Sequence, residues 1–119
     1  MRETLAGAEL VLSSTLTLVE CDRVLIRAAA VEGLEEAVAA ERRARLREAV
    51  EHWILFDLDP EIVDRARRPF QKEPVRTLDA IHLASALLGQ SLVPDLEMLC
   101  LDDRVRGAAA LMGLRLLPR

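Results

Sequence analysis

The sequence has no tyrosine, and two phenylalanines and one tryptophan are its only aromatic residues. A core must therefore come from Leu, Val, Ile and Ala, which suit helices packed on a short sheet. Cysteine is scarce as well. Cys21 and Cys100 both sit in apolar runs, with no C-x-x-C pair and no four-ligand zinc pattern. They read as two small buried hydrophobes, and nothing points to an oxidising compartment. No apolar run approaches the roughly 20 residues of a membrane helix. The charged start, Met1 to Glu9, is followed by no apolar stretch of the kind a secretory signal carries. The expectation is a soluble, cytoplasmic chain without membrane association.

Apolar residues make up 51% and charged residues 30% of the 119 positions, a globular composition. The length suits one domain spanning 1–119 around one hydrophobic core. The formal net charge of −4 argues against broad nonspecific nucleic-acid binding, which depends on neutralising phosphates. It leaves a nuclease open, because acidic metal ligands lower the net charge while the ion supplies a local positive field.

Periodicity predicts alternating strands and helices. Leu10–Leu12 reads as a buried strand ending at Ser13 and Ser14, with Ser14 capping a helix over Thr15–Val31 that Gly33 closes. A charged amphipathic helix follows over Leu34–His52, then a strand over Trp53–Leu58. Asp59-Pro60 opens a short helix to about Arg68, and Pro69–Val75 is a loop. Thr77 is a candidate cap for a helix over Leu78–Leu88, ahead of a turn at Gly89–Pro94. Leu96–Leu101 is a strand, Asp103–Met112 a helix capped by Asp102 and stopped by Gly113, and Leu114–Leu117 a last strand. That order implies an α/β fold with a parallel sheet between helices.

Most carboxylates fall on polar faces. Glu20, Asp79 and Asp102 do not: each lies in an apolar setting near a helix start or a strand end. Singly, each has a structural reading. Asp79 and Asp102 suit helix N-termini, and Glu20 can pair with Arg23 or Arg27. Together they suggest another. Three carboxylates at the carboxyl edge of a sheet repel unless a cation holds them, and hard oxygen donors suit Mg²⁺ or Mn²⁺. His82, one turn after Asp79, reads as hydrogen-bonded packing rather than as a general base.

Three segments carry a resemblance. Ser13-Ser14-Thr15-Leu16-Thr17-Leu18-Val19-Glu20-Cys21, Arg76-Thr77-Leu78-Asp79-Ala80-Ile81-His82-Leu83-Ala84 and Leu99-Cys100-Leu101-Asp102-Asp103-Arg104-Val105 resemble those of PIN-domain ribonucleases. The likeness is greatest to the toxins of VapBC-type toxin–antitoxin pairs. It implies a three-layer sandwich with a short parallel sheet flanked by helices. It also implies Glu20, Asp79 and Asp102 as catalytic metal-site acids, with Asp103 a further metal candidate. Arg23, Arg76 and Arg104 become candidates for RNA phosphates. Members of this family open with a central strand ending in Asp and then a helix; here Met1–Ala6 resembles the tail of that helix, so the first strand is expected to be missing. A sheet lacking it either has a gap or pairs its flanking strands directly.

The function implied is a Mg²⁺- or Mn²⁺-dependent endoribonuclease toxin that forms a homodimer and is neutralised by a cognate antitoxin. The alternative is a catalytically inactive relative that only binds an antitoxin or another partner. A response-regulator-like acidic pocket would need a lysine from a late strand, and Lys72 is the only lysine.

Overall fold

The computed structural model describes Leu5 and residues 7–119. The expected helix tail at Met1–Ala6 lies outside the described residues, apart from Leu5, which is helical. The described residues form four strands and five helices: β1 (Leu12–Ser14), α1 (Thr15–Val31), α2 (Glu36–Val50), β2 (Ile54–Phe56), α3 (Pro60–Ala66), α4 (Thr77–Leu92), β3 (Glu97–Leu99), α5 (Asp103–Leu111) and β4 (Arg115–Leu117). The fold is mixed α/β and PIN-like. The strands make two separate parallel pairs, β1 with β2 and β3 with β4.

The chain divides into two compact units. In Glu9–Asp57, Leu12, Ser13 and Ser14 lie opposite Ile54, Leu55 and Phe56. The Ser14 hydroxyl accepts from the Leu16 N–H at 3.2 Å and starts α1. This explains why β1 begins and ends two residues later than the apolar run suggests. A buried serine whose hydroxyl caps a helix is satisfied and can pair in the strand, while Leu10 is left exposed. Gly33, at φ +78°, ends the helical stretch where a side chain would be strained. Helices α1 and α2 pack together, and Arg43 joins them through Asp22 at 3.0 Å.

In Leu58–Arg119, Asp59 caps α3 by accepting from the Ile62 N–H at 3.0 Å, with Pro60 at the first helical position. Helix α4 runs past Gly89 to Leu92 instead of stopping near Leu88. It ends where Val93 takes an extended conformation ahead of Pro94, as a following proline disfavours the helical region. Phe70, Leu83, Val105, Ala108, Ala109 and Leu114 form the buried core, with α4 contributing its small and branched face. Gly113, at φ +80°, closes α5, and the Leu114 N–H donates back to the Ala109 carbonyl at 3.1 Å. Among the described residues no helix is long and apolar enough to cross a membrane.

Candidate functional site

The acids predicted from sequence fall in both units. Glu20 lies half-buried on α1 in Glu9–Asp57, and Asp79, Asp102 and Asp103 lie in Leu58–Arg119. Within the second unit, Asp79 sits in the first turn of α4. Arg76, not Thr77, is the N-cap, and its side chain makes no capping bond. The N–H groups of that first turn therefore point outward from the positive end of the helix. Arg76, Asp79 and Arg104 line one cavity of about 70 Å³, room for a few water molecules. Its walls are apolar, from Pro74, Val75, Leu83, Val105 and Ala108. Among the described residues the Asp79 carboxylate has neither a hydrogen bond nor an ion pair.

Asp102 plays the structural part its position suggests. One carboxylate oxygen accepts from the N–H groups of Arg104 at 2.9 Å and Val105 at 3.2 Å, capping α5. Asp102 is exposed, and Asp103 beside it is exposed as well. Carboxylate oxygens of this kind fit a hard cation that takes one or two protein ligands and keeps its waters. Within each unit taken by itself, no group of three or more His, Cys, Asp or Glu ligands assembles among the described residues.

Arg106 was not singled out from sequence. Its guanidinium donates to the carbonyls of Cys100 at 2.8 Å, Leu117 at 3.1 Å and Pro118 at 2.7 Å, tying together the ends of β3 and β4 just before Asp102. A signal for it existed: an arginine next to Val105 on the apolar side of a short helix has to find acceptors. On α1, Arg23 is exposed. Burial pushes the Cys21 thiol above its ordinary range, and the charges of Glu20 and Asp22 push it further.

A family model described as PIN domain matches residues 1–93. The chain belongs to the PIN-domain family. Ribonuclease VapC46 of Mycobacterium tuberculosis (strain ATCC 25618 / H37Rv) is 41% identical over 93 residues, 76% of this chain and 66% of that protein. The chain thus spans just under two thirds of the relative's length, and the similarity marks it as a PIN protein of the VapC type. No solved structure matches it. The part matched by the PIN model contains Glu20, Arg23, Arg76 and Asp79, while Asp102, Asp103 and Arg104 lie beyond it.

Proposed function

We propose that this chain is a metal-dependent endoribonuclease toxin of the cytoplasm that cleaves RNA phosphodiester bonds. The observation that carries this reading is Asp79, an unpaired carboxylate at a small cavity flanked by two arginines and the N-terminus of α4. A half-buried carboxylate with no protein partner among the described residues is open to a cation. Asp79 and Asp102 are the acids of this unit that would hold Mg²⁺ or Mn²⁺, with Asp103 as a further ligand. When bound, such an ion supplies an activated water and offsets the charge that builds on the phosphorus centre. Arg76 and Arg104 hold and orient the phosphates. The apolar walls of Leu83, Val105 and Ala108 keep bulk water from the buried side of the cavity.

The test uses RNA with Mg²⁺ or Mn²⁺ and compares the chain with Asp79→Asn. Cleavage by the chain and none by the variant is the expected result. Equal cleavage by both removes Asp79 from the site.

A second reading is a PIN protein that captures a partner without cutting RNA. It draws on the other unit, where α1 has no buried residue and an open groove of about 310 Å³ is lined by Ile26, Ala29, Ala39 and Ala40 with Glu36 and Arg43. In both readings a small cognate antitoxin and a second copy of the chain are the partners. A protein that binds the antitoxin but never cuts RNA with either metal supports the second.

A further inference from the structure

The turn that carries Asp102 has little burial to hold it. Leu101 is 63% exposed, and Asp102 and Asp103 are exposed beside it. The two N–H groups that bind the Asp102 carboxylate belong to Arg104 and Val105, so they fix it on α5 and leave open where α5 stands on the strands. Val105, Ala108 and Ala109 seat the helix in the core, but apolar packing is non-directional. Arg106 supplies directed bonds on both sides of the turn. Its backbone N–H donates to the Asp102 carbonyl at 2.9 Å. Its guanidinium donates through one nitrogen to the carbonyls of Cys100 and Leu117, and through the other to that of Pro118. The Cys100 N–H in turn donates to the same Leu117 carbonyl at 3.0 Å, where β3 and β4 meet. Among the described residues Arg106 forms no ion pair, so its fork is given over to these carbonyls. A guanidinium can spread over acceptors in this way, whereas an ammonium has a single nitrogen to offer.

We propose that Arg106 is a positioning residue for Asp102, and that its clamp on the strand ends sets where that carboxylate stands for a divalent cation. What Asp102 is held for rests on the ribonuclease reading above; that Arg106 holds it does not. A misplacement of about 1 Å at a functional group can cost about 100-fold in rate, so an exposed turn bearing a metal-site acid needs such a tether. The sign of the effect separates positioning from charge. Arg106 is itself a cation, and by electrostatics alone its removal tightens the binding of a dication nearby. Loss of positioning weakens it.

The test uses the whole chain. Backbone ¹⁵N order parameters measured in EDTA should be about 0.85 over residues 101–105 in the parent and fall towards about 0.6 in Arg106→Gln, while Leu83 keeps its value. The free Mn²⁺ signal in electron paramagnetic resonance then gives the affinity. Arg106→Gln should weaken binding by about 10-fold, the lower end of what losing a metal ligand's outer partner costs. Arg106→Lys, which keeps the charge and one donor nitrogen, should recover part of that loss and carries the test should Arg106→Gln fold poorly. In an Asp102→Asn background Arg106→Gln should have no further effect, whereas with Asp79→Asn its effect should persist. Ile62→Val trims a sealed position on α3, controls for lost stability, and should bind Mn²⁺ as the parent does. Tighter binding by Arg106→Gln, order parameters that do not move, or an equal loss without Asp102 each overturns the positioning role. A parent that neither binds Mn²⁺ nor cuts RNA removes the ribonuclease reading instead, and the order parameters still decide whether Arg106 fixes Asp102.

Discussion

Glu9–Asp57 and Leu58–Arg119 are each built from a parallel pair of three-residue strands with helices beside it, yet they bury their side chains very differently. In the second, Ile62, Leu83 and Ala109 are withdrawn from solvent almost completely, and Phe70, Val105 and Leu114 close the core around them. In the first, Ala39 and Ser14 alone reach that state among the described residues, and Val19, Val24 and Val31 stay exposed. The cause lies in composition. Helix α2 is charged almost all round, and α1 meets it through alanines, which bring backbones close but bury little area. Burial stabilises by about 25 cal/mol per Å² of apolar surface. The second unit therefore carries the larger share of internal stabilisation, although both leave large apolar side chains exposed, Val19, Val24 and Val31 in the first and Leu92, Leu101 and Leu111 in the second.

The largest effect expected from this contrast is on Leu83. Leu83→Ala opens a cavity in a sealed site and should cost about 2–5 kcal/mol in urea unfolding. Val24→Ala, on the exposed face of α1, should stay within about 0.5 kcal/mol. Similar losses at both positions would erase the distinction between the units.

A smaller difference separates the cross-links. Arg106→Met removes three hydrogen bonds from a charged donor and leaves strand-end carbonyls without it, a loss of about 1–3 kcal/mol. Arg43→Met removes one ion pair whose side chains are each about one third exposed, and should cost less than about 1 kcal/mol. The comparison sharpens if Arg106→Met also weakens cleavage, because the turn bearing Asp102 then depends on that clamp.

Much of this could be read from the sequence, and the exceptions have physical causes. Caps at Ser14, Asp59 and Asp102 are local chemistry between neighbours, and all three stand where the residue types place them. Strand limits were harder, since a serine reads as polar until its hydroxyl is seen to be satisfied. Gly89 reads as a stop, but packing carried α4 through it. In the site, residues at helix starts were visible because a carboxylate in an apolar segment is anomalous by itself. Arg106 was not, because its role depends on what a long side chain reaches, carbonyls 6 to 12 residues along the chain.

The smallest expected change in stability accompanies a large change in assembly. Val24 and Val31 are seven residues apart, so they share one face of α1, at 65% and 67% exposure. A stripe of that spacing is what a second helix of the same kind can meet across a two-fold axis. Val24→Glu with Val31→Glu puts two like charges into that seam in each copy. The unfolding midpoint of the dilute protein should move by no more than about 0.5 kcal/mol, since neither valine is buried within the chain. Light scattering at high concentration should shift from dimer to monomer, because burying unpaired carboxylates at an interface costs more than two valines contribute. A parent chain that is already monomeric there would show that α1 is not the seam between copies. A variant destabilised as much as Leu83→Ala would show instead that the valines are buried in solution, and that the two units are more alike than their exposures indicate.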